Sequence, residues 1–296
     1  MIETINLTKK YGELVALNNL NLSINDGDCF GFIGPNGAGK TTTIRVLLGL
    51  LRPSGGGASI FGLDCWKRSP RIKRDVGYLP GDLRLYPWMT ARNAIGIVGQ
   101  VRKRGLAERG RELWDRFELD PEVRVRQMSR GMRQKLGLVL ALVHEPKLLI
   151  LDEPTAGLDP LMQDVLYRCL DEAIARGQTV FFSSHRLSEV EHLCDRVAII
   201  RDGRIVADEP LETLRGRAAR EVKLEFADAE AAGRAEVPAF LKIRERRGAQ
   251  WVCDRTGEMP DLIRWMAGQP IADVTIGPPD LESLFRRFYE REGDAG

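Results

Sequence analysis

No stretch of this 296-residue chain approaches the roughly 20 consecutive apolar residues that a bilayer-spanning helix needs. If the protein works at a membrane, another chain supplies the membrane part. The N-terminus, MIETINLTKK, lacks the apolar core of a signal peptide. Cysteine is scarce: Cys29, Cys65, Cys169, Cys194 and Cys253 are scattered, odd in number and never spaced as a metal or redox pair. They fit a reducing cytoplasm, with thiols acting as small buried side chains. A surplus of one charge is missing too, since 44 basic residues meet 42 acidic ones, for a net charge of +2. That balance gives no bulk pull toward nucleic acid or acidic lipid. It leaves local basic runs, such as residues 102–104 and 244–247, as solvated faces. Internal repeats and low-complexity tracts are absent. What is present is ordinary for a soluble globular protein, 43% apolar and 29% charged. The length suits one large domain and one small one.

Residue patterns predict short strands at residues 2–7, 14–17 and 20–24, with turns at Tyr11-Gly12 and Asn25-Asp26-Gly27. Residues 29–33, 148–151, 180–182 and 197–200 are short apolar runs without alternation, as in parallel strands buried on both faces. Asp202-Gly203 joins the last of these to residues 204–206 as a hairpin. Between the first two buried strands, from about 83 to 142, the pattern is helical, with Leu113, Trp114 and Phe117 on one face. After Leu214 the texture changes. Strands are expected at Val222, Leu224 and Phe226, at 251–253 and at 271–276, with helices at 262–266 and 281–289. The expected fold class is α/β. A P-loop NTPase (RecA-like) core with an N-terminal antiparallel β subdomain and a helical insertion fills residues 1–214. A small α+β domain fills residues 215–296, attached near residues 215–220.

Gly34, Pro35, Asn36, Gly37, Ala38, Gly39, Lys40 and Thr41 fit G-x-x-x-x-G-K-[ST] in full, and Thr42 follows. The motif comes after an apolar strand and opens a helix whose Ile44, Leu47, Leu48 and Leu51 share a face, which is the context it requires. Glycines let backbone N–H groups curl around phosphate oxygens, and the helix N-terminus adds positive dipole. Lys40 is set to reach the β- and γ-phosphates, and the Thr41 hydroxyl to ligate Mg²⁺. ATP and Mg²⁺ are therefore the expected nucleotide and metal. The run at 148–151 ends in Asp152-Glu153, with Pro154 behind. Asp152 would orient Mg²⁺, and Glu153 would polarise the attacking water as general base. The run at 180–182 ends in Ser183-Ser184-His185. A lone histidine is more often structural, but this one ends a strand expected beside that of Asp152, within reach of a γ-phosphate. In MSRGMRQ, residues 128–134, helical spacing starts near Met132, so Ser129 and Gly131 form a helix entry. That entry is either a plain cap or half of a phosphate site.

Taken in order, Tyr11, GPNGAGKTT, VGYLPGD, MSRGMRQ, LLILDEP, AGLDP and SSHR resemble the nucleotide-binding subunit of an ATP-binding-cassette (ABC) transporter. The residues from 215 on, closing in PDLESLFRRFY, resemble the accessory C-terminal domain of some exporter ATPases in that family. The resemblance implies two ATPase subunits meeting head to tail, with a homodimer as the expected pair and a heterodimer left open by the sequence. The MSRGMRQ helix of one would press on the γ-phosphate held by the other, so that Ser129 and Gly131 serve the partner's nucleotide. Asp159, in AGLDP, would lie at the same seam. Tyr11 would stack on adenine, or else be a solvent-facing hairpin tyrosine. A membrane-spanning permease would hold the pair at the cytoplasmic face of the membrane, for export rather than import.

The alternative, a soluble cassette ATPase acting on nucleic acid or ribosomes, lacks the long coiled coils or doubled cassettes of such relatives. No nucleic-acid partner is expected. A nucleotide kinase or GTPase would leave MSRGMRQ unexplained and lacks Asn-Lys-x-Asp. Two departures stand out. Arg130 and Met132 replace a glycine and the glutamine of the usual Leu-Ser-Gly-Gly-Gln. Gly81 stands where a glutamine usually follows Tyr-Leu-Pro, and Asp82 is the candidate substitute. In the last helix, Phe285, Phe288 and Tyr289 form either a docking face or a packed one.

Overall fold

The computed structural model describes residues 1–281 together with Leu284, Phe285 and Phe288. Two compact units emerge, Met1–Glu209 and Pro210–Gly296. The break precedes a short helix that the sequence division at Leu214 cut through. Among the described residues no helix is long and apolar enough to cross a membrane.

The first unit opens with β1 (Ile2–Tyr11), β2 (Leu14–Ile24), β3 (Cys29–Ile33), α1 (Lys40–Leu47), β4 (Gly55–Ile60) and β5 (Leu63–Asp64). It continues through α2 (Ser69–Ile72), β6 (Val76–Leu79), α3 (Ala91–Arg102), α4 (Ala107–Arg116) and α5 (Arg130–Leu142). It closes with β7 (Leu148–Asp152), α6 (Pro160–Ala175), β8 (Thr179–Ser184), α7 (Leu187–Leu193), β9 (Arg196–Arg201) and β10 (Arg204–Pro210). An antiparallel sheet runs β2-β1-β4-β5, and the central sheet runs β10-β9-β3-β8-β7-β6. Neighbours from β9 through β3, β8 and β7 to β6 are parallel. β9 and β10 meet across Asp202-Gly203, both at positive φ, the backbone of a two-residue hairpin turn.

Every residue of β3, β7 and β8 is buried, which accounts for their unbroken apolar texture. Phe181 packs its ring against both Phe30 and Phe32. A single core joins this sheet to α1 and the antiparallel sheet through Ile2, Leu22, Phe32, Ile44, Leu47 and Ile150. The interval of the expected helical insertion holds α3, α4 and α5, with Leu113, Trp114 and Phe117 buried. All five cysteines are buried and free.

Among the elements that differ from the sequence expectation are β2, β4 and β6. β2 is one strand rather than two. Asn19 takes φ +52° and Asn6 φ +48°, and the Asn21 side chain accepts from the Asn6 N–H at 2.8 Å. These amides replace missing ladder bonds across an irregular register, so pairing continues past the break. β4 and β6 were not anticipated; one is half glycine and the other only four residues long.

The second unit contains α8 (Leu211–Arg217), β11 (Arg220–Phe226), α9 (Ala229–Arg234), β12 (Leu241–Arg247), β13 (Gln250–Arg255), α10 (Met259–Met266) and β14 (Ile271–Pro279). Its antiparallel sheet runs β12-β13-β11-β14. Val222, Leu224, Phe226, Trp251, Cys253 and Leu262 form its core. The basic run at 244–247 proves to be an edge strand, where exposed charge deters pairing with other chains. Arg244 there ion-pairs Glu221, Asp254 and Asp280. Of the last-helix aromatics, Phe285 is buried and meets Phe288 edge-on, which matches a packed face; Tyr289 lies outside the described residues.

α7 lies close enough to β3 that a Cβ on Gly31 would sit 2.2 Å from Cγ1 of the buried Val190. A β-branched side chain at a fully buried site has little freedom to yield. Gly31→Ala is therefore expected to destabilise the first unit by about 1–3 kcal/mol, read as a lower urea midpoint, and Val190→Ala in the same chain should recover part of the loss. An unchanged midpoint would show that α7 does not dock this tightly.

Candidate functional site

The loop after β3 and the N-terminus of α1 make the phosphate-binding element. Gly39 is the residue before α1 and takes φ +112°, where a Cβ would also meet the Ala16 carbonyl at 2.9 Å. Only glycine suits that position. Gly37 shares the positive φ, with open space beside it. Gly34 and Ala38 are buried, whereas Pro35, Asn36 and Gly37 face outward. The Lys40 ammonium donates to the Gly34 carbonyl at 2.6 Å and the Pro35 carbonyl at 3.2 Å. It also lies 3.7 Å from Glu153 Oε1. Burial lowers the Lys40 pKa below that of an ordinary lysine, and the carboxylates of Glu153 and Asp152 oppose that shift.

Parallel register brings the other groups to the same sheet edge. Asp152 pairs with Ser183 across β7 and β8, and Ile33 pairs with Ser184 across β3 and β8. The Asp152 carboxylate, 1% exposed, accepts from Thr41 Oγ1 at 2.8 Å and from Ser183 Oγ at 2.6 Å. Glu153 follows at φ +51°, a backbone turn that carries its side chain out of the strand direction. Its carboxylate lies 3.1 Å from His185 Nδ1. The structure thus joins Lys40, Thr41, Asp152, Glu153 and His185, from three separate stretches of chain, in one contact network.

The remaining predicted residues lie apart from that network. Ser129 is the exposed N-cap of α5, its hydroxyl accepting from the Met132 N–H at 3.2 Å. The helix starts at Arg130 rather than Met132, which puts Gly131 inside the first turn. A Cβ there would come within 2.7 Å of the Gly157 carbonyl, so Gly131 is also required by packing. Asp159 caps α6, accepting from the Met162 N–H at 3.0 Å, and is exposed. Thr42 lies in the first turn of α1, half-buried. Tyr11 is an exposed ring at the end of β1, with the Lys9 ammonium 5.0 Å from its centroid. Its hairpin partner β2 reaches the phosphate loop through Ala16. Asp82 is turned toward Arg84, with a 3.0 Å contact. The backbone at Gly81 lies beside Asp152, where a Cβ would be 3.3 Å from Oδ2.

The sequence pattern of the ABC transporter family matches residues 17–156. The Nod factor export ATP-binding protein I of Burkholderia orbicola (strain AU 1054) is 34% identical, over 98% of this chain and 97% of that one. The bacitracin transport ATP-binding protein BcrA of Bacillus licheniformis is 39% identical, over 77% of this chain and 76% of that one. The chain belongs to the ABC transporter family, as an ATP-binding subunit. A solved ATP-binding subunit of an ABC transporter superposes with a TM-score of 0.68 at 31% identity, covering 73% of this chain and 92% of that one. A dimeric ATP-binding cassette in a post-hydrolysis state, bound to ADP and Pi, gives 0.67 at 26% identity, covering 71% and 99%.

ATP is the nucleotide of this family, and the site fits it: a glycine loop, a helix N-terminus and a buried ammonium converge as a phosphate cradle requires. The donor set also fits Mg²⁺. Thr41 Oγ1 and Asp152 Oδ2 are two hard oxygens in contact, and this metal takes one or two carboxylates and fills its other positions with water and phosphate. Among the described residues, no cluster of three His, Cys, Asp or Glu side chains competes as a metal site.

Two supporting residues escaped the sequence reading. Ser183 holds Asp152, and Gln134, 8% exposed, donates to the Glu153 and Pro154 carbonyls at 3.3 and 2.9 Å. Gln134 closes the quoted MSRGMRQ stretch, so α5 is fastened to the segment that carries Glu153. Lys40→Ala is expected to weaken ATP binding by about 10- to 100-fold, since charge-assisted hydrogen bonds are lost, while the fold is kept. A fluorescent-ATP titration with unchanged affinity would show that Lys40 does not reach the phosphates.

Proposed function

We propose that the chain is the ATP-hydrolysing engine of an export complex, paired with a second copy of itself. The pair is held at the cytoplasmic face of the membrane by a separate permease. The observation that carries this reading is the contact network of Lys40, Thr41, Asp152, Glu153 and His185 at one sheet edge. The name of the Nod factor export relative supports the outward direction.

In this reading backbone N–H groups of residues 34–41 wrap the β- and γ-phosphates. Lys40 exchanges its loop carbonyls for phosphate oxygens, and Tyr11 stacks on adenine. Thr41 and Asp152 hold Mg²⁺, which when bound neutralises phosphate charge. Glu153 takes the proton of the water that attacks the γ-phosphorus, as the bond to the ADP oxygen breaks. His185, whose Nδ1 lies 3.1 Å from the Glu153 carboxylate, orients that carboxylate and meets the γ-phosphate. Ser129 and the N-terminus of α5 serve the nucleotide held by the partner subunit, with Gly131 in the same turn and Asp159 at the seam. The exposure of Ser129, Arg130 and Asp159 supports this, as does the dimeric cassette among the structural relatives. The second unit carries no phosphate-binding motif, and we assign it to dimer stabilisation or to regulation of the permease.

Glu153→Gln is expected to bind MgATP and lose hydrolysis by about 10²–10⁴-fold. ATP should then drive its dimerisation in sedimentation, and adding Ser129→Arg should abolish the dimer without abolishing ATP binding. Equal dimer populations with and without Ser129→Arg would leave MSRGMRQ as a helix cap only.

A further inference from the structure

Glu189, on α7, is a charged side chain in the interior, 4% exposed. A buried carboxylate is costly unless its oxygens are met by donors, and here both are. Oε1 accepts from Thr155 Oγ1 at 2.7 Å, and Oε2 accepts from Ser184 Oγ at 2.6 Å. The Arg186 guanidinium lies 3.1 Å from Oε1, and the Arg186 N–H donates to Ser184 Oγ at 2.9 Å. Bonds to an ionised acceptor at these lengths are the strong kind.

The origin of the donors is what matters. Thr155 stands two residues after Glu153, and Ser184 stands one residue before His185. One carboxylate therefore grips the two segments whose side chains form the 3.1 Å Glu153–His185 pair. The next residue on α7, Val190, packs against Gly31 in the strand that feeds the phosphate loop. A carboxylate that only anchored a short helix would need donors from one neighbour, not one donor from each of these two segments.

We infer that Glu189 is a positioning residue for ATP hydrolysis, tying the Glu153 segment to the His185 segment and so setting the geometry of that pair. It acts through other residues and touches no nucleotide. The inference rests on the reading that Glu153 and His185 carry the hydrolytic step. Glu189 then governs turnover and leaves nucleotide binding to Lys40, Thr41 and the loop.

The test uses the purified full chain. Glu189→Ala should lower kcat by about 10- to 100-fold, the cost of a small misplacement of reacting groups, with KM and ATP affinity within about 2-fold. Glu189→Gln, which keeps the shape and an acceptor, should recover most of the turnover. Thr155→Val, a milder change, should give an intermediate loss and serves equally if the alanine variant does not fold. In a His185→Ala background, Glu189→Ala should cost far less than it does alone, because both act through one pair. A purely structural role would lower stability without this kcat-against-KM split or this non-additivity. Normal turnover in Glu189→Ala and Thr155→Val, or a full multiplicative loss beside His185→Ala, overturns the positioning role alone. Normal turnover in both Glu153→Gln and His185→Ala overturns the site reading, and the inference with it.

Discussion

The buried carboxylate of Asp152, held by Thr41 Oγ1 on one side and Ser183 Oγ on the other, is the contact on which the site depends. Those hydroxyls come from the first turn of α1 and the end of β8. At 1% exposure Asp152 has little access to water, so its charge must be balanced from within. Two hydroxyl donors and the nearby Lys40 ammonium provide that balance, and they do so only while three strand ends stay aligned. Everything polar at the site follows from that alignment. Glu153 leaves the end of the strand at positive φ toward His185, and Lys40 lies between the loop carbonyls and Glu153.

Apolar packing maintains the alignment. β3, β7 and β8 are buried on both faces; a one-residue slip between β7 and β8 would break the Asp152–Ser183 pairing, and one between β3 and β8 the Ile33–Ser184 pairing. Phe30, Phe32 and Phe181 lock β3 to β8 from one side, and Val190 on Gly31 adds a close contact between α7 and β3. The helical insertion is fastened to the same edge through Gln134 and through Gly131 against Gly157. The exposed start of α5 is thereby fixed relative to Glu153, as an assembly with a second ATP site would require.

What was legible in the sequence was local. The phosphate loop, Asp152-Glu153 and Ser183-Ser184-His185 each state their chemistry within a few residues, because a strand end and its loop are contiguous in the chain. The buried strands were legible from unbroken apolar runs. β4 was not, because glycines at 55–57 leave no side-chain pattern to read. β12 was hidden by the exposed charge of an edge position. β2 looked broken at Asn18-Asn19, since nothing local says that amides of Asn6 and Asn21 will bridge the irregularity. The roles of Ser183, Gln134 and Glu189 depend on register and on packing between distant segments, which no window of sequence contains.

The central claim is that Asp152 and Thr41 form the metal-holding half of an ATP site. Its most direct measurement is Mn²⁺ binding to the ATP-saturated chain, followed by electron paramagnetic resonance, for the wild type and Asp152→Asn. The account predicts that the substitution weakens protein-bound Mn²⁺ by about 10-fold or more, while ATP affinity in chelator stays within about 2-fold of wild type. Equal Mn²⁺ affinity in the two proteins would contradict it.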